Sequence, residues 1–457
     1  MAEYDVIVVG AGMAGMNAAW KAQVAGAKVA VVERDRVGGT CPIKGCIPTK
    51  ALIRSAEVAH VARRAADFGV HVGSVEVDFA AAVARIRDIA AQGESGSRSW
   101  LESLDNLDLI MGEASLSGPT SVVVDGQDLE APKIILATGA EARAIPIPGL
   151  DQTPYLTSDD VVLRITELPP KLLVIGAGPI GLELGQALSR LGSDVTIVEI
   201  TETLLPELEP EVGETLAEAL RGEGIELLLG ATIERVGSDG AERTMIVTSG
   251  GETAELRGTD ILLGVGRGPA VSALNLEAAG VEYTTDGIAV SRQLQTSKEG
   301  IFAAGDVVGL PYGAFTHVAR RMGQEVVQNA VNGAHHEVDS DAGPRAIFTD
   351  PEVATIGMSE REAIEAGLDV SVGKAGFSGG KARAWGEERG FAKVVTEKGT
   401  RRILGATIVG YHGADLIHEI AVAMKAAGGL IDPVVDSFHI HPTLGERVAD
   451  AAAQAAG

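Results

Sequence analysis

The sequence predicts an α/β protein with two parallel-sheet units, followed by a C-terminal α+β unit. A pattern of apolar strand, glycine-rich turn, amphipathic helix and second strand occurs twice, over residues 4–35 and 171–201. The chain has 457 residues, which is too long for one hydrophobic core and typical of about three domains. Beyond residue 336, strand-like and helical segments continue without a third glycine-rich turn.

The two repeats share a Gly-x-Gly-x-x-Gly turn and an acidic residue 23 positions after its first glycine. In such a turn the first glycine permits the tight bend, the second lets a pyrophosphate approach the backbone, and the third lets the helix pack on the strand. The helix N-terminus attracts phosphates, and the acid accepts hydrogen bonds from a ribose. One such turn often only joins a strand to a helix, but two complete copies predict two Rossmann-like dinucleotide-binding domains. The residues are Gly10, Gly12, Gly15 and Glu33 in the first copy, and Gly176, Gly178, Gly181 and Glu199 in the second.

The segments outside the repeats predict the domain boundaries. Residues 133–139 have the pattern of a strand and turn, as do residues 261–267, whereas the proline-rich residues 146–154 indicate a linker and the polar residues 336–344 a break. Further strands are predicted around 346–357, 391–396 and 403–411, and helices around 359–366 and 413–428. The predicted domains are 1–147 with 266–335, 148–265, and 336–457.

Composition and charge exclude several classes of function. The net charge of −25 opposes binding to nucleic acid or to an anionic membrane. Three readings of this acidity stay open: plain solubility, adaptation to salt, and an acidic patch that docks a basic partner. The sequence has no run of about 18 apolar residues, so no membrane-spanning helix is predicted. Residues 1–5 lead into a strand without the basic flank expected of a secretory signal. We therefore expect a cytoplasmic protein.

The two cysteines of the chain, Cys41 and Cys46, are five positions apart. A structural disulfide across so short a loop would stabilise little, and a metal site would need more ligands nearby. A redox pair in a reducing compartment is the better prediction. Because residues five positions apart in a regular helix have Cα atoms about 8.6 Å apart, and a disulfide needs less than about 7 Å, the backbone must be distorted. Pro42, Gly45 and Pro48 suit such a distortion.

Residues 38–50, GGTCPIKGCIPTK, resemble the G-G-T-C-x3-G-C-x-P-[ST]-K motif of the class I pyridine nucleotide–disulfide oxidoreductases. Other motifs of this family follow in its order across the whole chain. Within the family, the chain is most similar to the dihydrolipoamide dehydrogenases. That similarity implies FAD and NAD as cofactors, bound by the first and second predicted domains, and a homodimer formed by the third. The motifs are ATG at residues 137–139, GRGP at 266–269, GIFAAGD at 300–306, FTDPEVA at 348–354 and HIHPTLGE at 439–446.

The resemblance also implies a role for each redox residue. Cys41 would exchange disulfides with the substrate, and Cys46 would lie against the flavin as a thiolate. Lys50 would lie beside the flavin and pair with Glu183, and Asp306 would bind the ribityl chain. Such an ion pair is stronger at a site of low dielectric constant and can steer flavin redox behaviour.

A dihydrolipoamide substrate arrives as a thiol, so a base must accept its proton. The resemblance assigns this role to His441, oriented by Glu446, and the base would act on the cysteines of the other subunit. His439 is expected to be structural. The partner would be a lipoylated carrier: the E2 of a 2-oxoacid dehydrogenase complex, the H protein of glycine cleavage, or a lipoate-binding protein.

The cofactor contacts implied by the resemblance form two sets, and no metal site is expected. The FAD set is Gly10, Gly12, Gly15, Glu33, Gly39, Thr40, Lys50, Ala114, Thr138, Gly139, Asp306 and Thr316. The NAD set is Gly176, Gly178, Ile180, Gly181, Glu199, Ile233 and Gly266.

The sequence departs from the family pattern at two places. Residues 42–44, Pro-Ile-Lys, replace the usual residues between the cysteines, and Lys44 adds a positive charge that could lower a thiol pKa. Pro179 stands where relatives often have Tyr, Val or Ile over the nicotinamide pocket, which puts gating by that side chain in doubt.

Other members of the family fit less well. Glutathione-type reductases use NADPH, which Glu199 opposes. Mercuric reductases carry an additional C-terminal cysteine pair, and transhydrogenases lack the two redox cysteines. A non-catalytic docking subunit is a further alternative, opposed by the intact catalytic set. Activity with free lipoamide would distinguish the enzyme from such a subunit.

Overall fold

The computed structural model describes residues 3–309, 315–338 and 343–457. The first repeat builds a parallel sheet in the order β3–β2–β1–β7, joined on its far side by a strand at Ile301–Ala303. The strands of this sheet are nearly all apolar, because helices or loops cover both faces. The elements are β1 Val6–Val9, α1 Met13–Val24, β2 Val29–Glu33, α2 Thr40–Ile43, α3 Cys46–Arg63, α4 Phe79–Glu102, β3 Leu107–Met111, β4 Ala114–Leu116, β5 Ser121–Val124, β6 Gln127–Glu130, β7 Lys133–Leu136 and β8 Ala140–Ala142.

The second repeat forms a parallel sheet in the order β11–β10–β9–β15, with the antiparallel sheet β12–β13–β14 beside it. Strand, glycine turn and helix therefore recur in the same arrangement as in the first repeat. The elements are α5 Ser158–Leu163, β9 Lys171–Ile175, α6 Pro179–Leu191, β10 Asp194–Val198, α7 Pro210–Gly222, β11 Glu226–Leu228, β12 Thr232–Asp239, β13 Glu242–Ser249, β14 Glu252–Gly258 and β15 Asp260–Leu263.

The chain then returns to the first unit. Strand β16 pairs antiparallel with β8, and β19 completes the first sheet beside β7. Helix α9 packs against α1, and a Cβ at Gly323 would lie 2.2 Å from the carbonyl oxygen of Ala14. The elements are β16 Arg267–Pro269, α8 Leu276–Ala279, β17 Tyr283–Thr284, β18 Gly287–Ile288, β19 Ile301–Ala303 and α9 Thr316–Ala330.

The C-terminal unit is an antiparallel sheet in the order β20–β21–β24–β23–β22 with helices packed on it. The strand predicted around 346–357 is split into two, because the Phe348–Pro351 segment turns away from the sheet to contact α6. The elements are β20 Arg345–Ile347, β21 Glu352–Gly357, α10 Glu360–Glu365, β22 Val370–Gly376, α11 Gly380–Trp385, β23 Phe391–Glu397, β24 Ile403–Gly410, α12 Gly413–Lys425, α13 Asp432–Val435 and α14 Gly445–Ala456.

One of the hydrophobic clusters contains residues from all three units. Leu52 on α3, Leu184 on α6 and Phe391 on β23 belong to the same buried cluster, so α3 and α6 are fixed against each other and against the C-terminal sheet. The predicted fold class is confirmed, and we propose the predicted boundaries as the domain limits. Among the described residues, no helix is both long enough and apolar enough to cross a bilayer.

Candidate active site

The third glycine of each repeat lets its helix start against the turn. A Cβ at Gly15 would lie 1.8 Å from the carbonyl oxygen of Gly10, and one at Gly181 would lie 2.0 Å from that of Gly176. No side chain fits at such distances. The second glycines differ, since a Cβ at Gly12 or Gly178 would meet nothing closer than 3.8 Å. Each turn thus leaves open backbone at a helix N-terminus, which suits a pyrophosphate.

The acids after the two turns make matching contacts. Glu33 accepts a hydrogen bond from the backbone N–H of Ala11 at 2.8 Å, and Glu199 accepts one from Ala177 at 2.7 Å. The second oxygen of Glu199 accepts bonds from the N–H and hydroxyl of Thr201. Each carboxylate therefore lies at the carboxyl end of its strand, beside the open glycine, where a ribose would lie.

The loop between the two cysteines breaks the helical path, since Cys41 lies in α2 and Cys46 begins α3. Lys44 has φ −143° and Gly45 has φ −123° with ψ −114°, so the predicted distortion is confirmed. Helix α4 fixes the loop from outside, because a Cβ at Gly93 would lie 3.0 Å from Cβ of Pro42. Both cysteines are free thiols and partly buried.

The two thiols have opposite acid–base character. A hydrogen bond from Cys41 is the main cause that lowers the pKa of Cys46 to about 6; burial opposes it, while Thr316 and the charge of Lys50 add to it. The Sγ of Cys46 lies 3.2 Å from Oγ1 of Thr316. The same hydrogen bond, together with burial, raises the pKa of Cys41. Cys46, at the N-terminus of α3, is therefore the thiolate and Cys41 its thiol donor.

Lys50 and Glu183 form the predicted ion pair. The Nζ of Lys50 lies 2.7 Å from Oε2 of Glu183, whose side chain is buried. The other oxygen of Glu183 accepts a hydrogen bond from the backbone N–H of Phe348 at 2.9 Å. The Nζ of Lys50 is also 4.4 Å from the centre of the Phe348 ring. Phe348 is a site residue that the sequence reasoning did not single out, although it begins the FTDPEVA motif.

His441 and Glu446 also pair, far out on the surface. The Nδ1 of His441 lies 2.8 Å from Oε1 of Glu446, and the N–H of Thr443 donates to Oε2 at 2.9 Å. These two hydrogen bonds hold the pKa of Glu446 below its usual range, the bond from His441 being the larger cause. The His441 side chain is 77% exposed. Within the described part of the chain, no hydrogen bond or ion pair links it to either cysteine.

His439, two residues earlier, has a different environment. Its side chain is only 17% exposed, and its Nε2 lies 3.0 Å from Glu419. Its neighbours Phe438 and Ile440 are strongly exposed apolar residues. The segment thus presents His441 on an apolar surface of the kind that a second subunit covers.

Several predicted cofactor residues gather around the carboxyl edge of the first sheet. A Cβ at Gly39 would lie 2.7 Å from Cα of Gly12, so the cysteine loop passes directly over the first glycine turn. Thr40 accepts a hydrogen bond from the N–H of Lys44 through its carbonyl. Thr138 donates to the carbonyl of Ala270 at 2.7 Å.

The remaining predicted residues lie on the same edge or in the second unit. Gly139 follows Thr138 with φ +71°, and Asp306 opens a 3₁₀ turn after Gly305. Ala114 is buried at the start of β4. Ile180 lies in the first turn of α6, Ile233 at an irregularity of β12, and Gly266 accepts from the N–H of Arg143.

Lys44, whose charge was expected to act on the thiols, pairs with a carboxylate. Its Nζ forms an ion pair with Asp159 on α5, at 3.1 Å. The same carboxylate binds Arg267 on β16 at 2.7 Å. The charge that the sequence placed near the thiols is therefore compensated by a residue 115 positions along the chain.

Among the residues that the structure describes, one set of side chains has the composition of a metal site. His60, Glu223 and Asp350 have ligand atoms within 4.8 Å of one another. Arg190, which is buried, already binds both carboxylates, at 2.6 and 2.7 Å. A metal ion would have to displace that guanidinium, so we assign this cluster a structural role between the three units.

Comparisons with known proteins cover nearly the whole chain. Residues 4–334 match the family described as pyridine nucleotide-disulphide oxidoreductase, and residues 343–452 match its dimerisation domain. A dihydrolipoyl dehydrogenase from Chlorobaculum tepidum is 36% identical over 461 residues, covering 99% of this chain and 97% of that protein. A mercuric reductase from Bacillus cereus is also 36% identical, over 427 residues, covering 93% of this chain and 67% of that protein.

A solved structure shares the fold over its full length. It is the Cu(II) complex of the HOCl-induced flavoprotein disulfide reductase RclA from Escherichia coli. It has a TM-score of 0.88 and 28% sequence identity, and the match covers 99% of both chains.

Proposed function

The chain belongs to the pyridine nucleotide-disulphide oxidoreductase family, and we propose that it is an NAD-linked dihydrolipoyl dehydrogenase. The family is FAD-dependent and uses a pyridine nucleotide, and the matched dimerisation domain supports a homodimer. In the proposed reaction, a protein-bound dihydrolipoamide loses two electrons and two protons and becomes the cyclic disulfide. NAD takes up a hydride equivalent, and one proton is released.

The observation that carries the disulfide chemistry of this proposal is the unequal pair of thiols. In the oxidised enzyme, a substrate thiolate would attack Sγ of Cys41 and break its bond to Cys46. Cys46 leaves as the thiolate, which its low pKa favours. The second substrate thiol, once deprotonated, would displace Cys41 from the mixed disulfide and close the lipoamide ring. Cys41 is then protonated and donates a hydrogen bond to Cys46.

FAD, when bound, would carry the two electrons from the dithiol to NAD. The residues present fit FAD, because Gly12 and Gly39 carry no Cβ and so leave backbone accessible to a pyrophosphate beside Glu33. Lys50 would place its charge near the flavin, fixed by Glu183. Cys46 lies one helical turn before Lys50 on α3, so the thiolate and the ammonium group share one face.

We propose that the base is His441 of the second subunit. In the single chain it has no contact to the cysteines among the described residues, yet Glu446 orients its Nδ1 side. Its Nε2 side would then face the partner subunit's Cys41. The exposed Phe438 and Ile440 beside it would be buried by the same contact.

A metal-ion reductase is the second candidate. The mercuric reductase relative is as similar in sequence as the dihydrolipoyl dehydrogenase, and the RclA structure is a Cu(II) complex. A thiolate and a thiol side by side are ligands that soft metal ions prefer. We favour dihydrolipoamide because the dehydrogenase match extends over 97% of that relative, against 67% of the mercuric reductase from Bacillus cereus and 81% of one from Lysinibacillus sphaericus.

A steady-state comparison separates the two candidates. Purified holoenzyme is assayed for NADH or NADPH oxidation with lipoamide, lipoylated carriers, Hg(II) and Cu(II). Turnover with lipoamide or a carrier at rates well above those with metal ions supports the proposal. Turnover with metal ions alone would assign the metal-reductase function instead.

Glu199 gives a prediction about the nucleotide. Its carboxylate would accept hydrogen bonds from the adenosine ribose of NAD and would repel a 2′-phosphate. The loss of one charge-assisted contact and the repulsion together amount to roughly 2–4 kcal/mol, or about 30- to 1,000-fold. We expect kcat/KM for NADH to exceed that for NADPH by this factor, and Glu199→Gln to reduce the preference. Glu202→Gln, a nearby exposed acid, is the control. Equal efficiencies in the wild type would contradict the assignment.

A further inference from the structure

Lys44 is the one charged residue between the two cysteines. Its Nζ is 3.1 Å from Oδ2 of Asp159, and both side chains are partly buried, at 28% and 21% exposure. At that burial, solvent screens an ion pair less than on an open surface. Among the described contacts, Lys44 makes none to a cysteine sulfur. A positive charge two residues from the thiolate is thus directed elsewhere.

Asp159 is itself held at the point where the two dinucleotide-binding units join. It lies in the first turn of α5, where the chain enters the second unit. Its Oδ1 binds Arg267 at 2.7 Å, on β16 where the chain returns to the first. Arg267 in turn donates to the carbonyl of Ala140 on β8 at 2.8 Å. Asp159 is therefore anchored independently of Lys44.

The ionisation of Asp159 fits this arrangement. Burial alone would raise its pKa, but the hydrogen bond from Arg267 and the charges of Arg267 and Lys44 bring the pKa below its usual value. The carboxylate is charged at neutral pH and faces two cations, so the group of three carries a net charge of +1. Removing the charge of Asp159 would leave both cations uncompensated.

We propose that Asp159 is a positioning residue for the redox pair: it holds the ammonium group of Lys44 away from the Cys46 sulfur. The electrostatic environment of the dithiol is then set by other groups. These are Cys41 on α2, Lys50 on α3 with Glu183 on α6, and the Thr316 hydroxyl on α9. The next residue on α9, His317, is hydrogen-bonded to the carbonyl of Pro344.

The expected consequence concerns Asp159→Asn, which keeps the shape and removes the charge. Lys44 is then free to turn toward the thiolate and stabilise it. We expect the pKa of Cys46 in the reduced holoenzyme to fall by about 0.5–1 unit, less than a fully buried charge would give. Lys44→Met alone should change this pKa little, and the double variant should return it to the wild-type value. The measurement is a pH titration of the long-wavelength absorbance of the thiolate beside oxidised flavin.

The double variant distinguishes this role from a merely structural one. If Asp159→Asn acts by disturbing the fold, adding Lys44→Met will not restore the pKa. Arg164→Gln, which removes a neighbouring ion pair with Asp160 on the same helix, is the matched control and should leave the pKa unchanged. An unshifted pKa in Asp159→Asn, a shift that persists in the double variant, an equal shift in the control, or a marked rise in Lys44→Met would each overturn the proposal.

This inference rests on the redox role of the cysteine pair in the proposed function and not on lipoamide as the substrate. If the wild type gives no long-wavelength band with NADH, the proposed function fails at that point. The ultraviolet absorbance of the thiolate, measured on chemically reduced protein and corrected with Cys46→Ser, still gives the pKa in each variant. A band that is present but unaffected by Asp159→Asn contradicts this inference alone.

Discussion

Reduction of the holoenzyme by two electrons is expected to give a long-wavelength absorbance band, and Cys46→Ser is expected to abolish both this band and disulfide turnover. The band requires a thiolate against oxidised flavin, and of the two cysteines Cys46 has the lowered pKa and Cys41 the raised one. Because the pKa of Cys46 is about 6, the thiolate is present above this value. The band of the wild type should therefore fade as the pH falls through about 6.

Cys41→Ser is the matched control for that experiment. It removes the disulfide but keeps Cys46, Thr316 and Lys50, and the serine hydroxyl can donate a hydrogen bond to Cys46 in place of the Cys41 thiol. The band should therefore be present without any reductant. Turnover of a disulfide substrate should be lost in both variants, whereas the band should be lost in only one. A band that persists in Cys46→Ser would reverse the assignment of the two sulfurs.

Much of the site was predictable because its patterns are local. The glycine turns and the distorted cysteine loop depend on residues a few positions apart, where the steric reason acts within the segment itself. The pairing of Lys50 with Glu183 came from the family resemblance, and the structure brings these side chains together. No spacing rule links two residues 133 positions apart.

The contacts between units could not be predicted from local patterns. Lys44 could be located near the thiols from the sequence, but its partner Asp159 lies on another unit. Strand β22 was missed for a related reason. It contains Gly373, where a Cβ would lie 1.9 Å from the carbonyl oxygen of Ala451 on α14. The glycine weakens the strand pattern, yet it is what lets α14 pack on the sheet.

His441→Gln is expected to slow lipoamide turnover by about two to four orders of magnitude, the range for losing a general base. The reason is that a thiol must lose its proton before it attacks the Cys41 sulfur. Glutamine keeps a hydrogen bond to Glu446 but cannot accept a proton. Reduction of the flavin by NADH needs no thiol proton at this stage, so its rate in stopped flow should change far less.

Two variants of the same segment test whether the effect is specific to the base. Glu446→Gln should be milder than His441→Gln, because it leaves the imidazole in place and removes only the carboxylate that orients it. His439→Gln changes the partly buried histidine that pairs with Glu419, and it should slow turnover by less than about tenfold. A loss as large as that of His441→Gln would mean that this segment only supports the fold.

Mixed dimers can test which subunit supplies the base, His441, to each active site. A dimer of one Cys41→Ser subunit and one His441→Gln subunit has two active sites. Across the interface, each site would combine the cysteines of one subunit with the histidine of the other. If the base acts across the interface, one site carries both defects and the other none, so about half the wild-type turnover should return. If the base acted within its own subunit, each site would carry one defect and turnover would stay low. Equal losses of NADH reduction and lipoamide turnover in His441→Gln would instead make the residue structural.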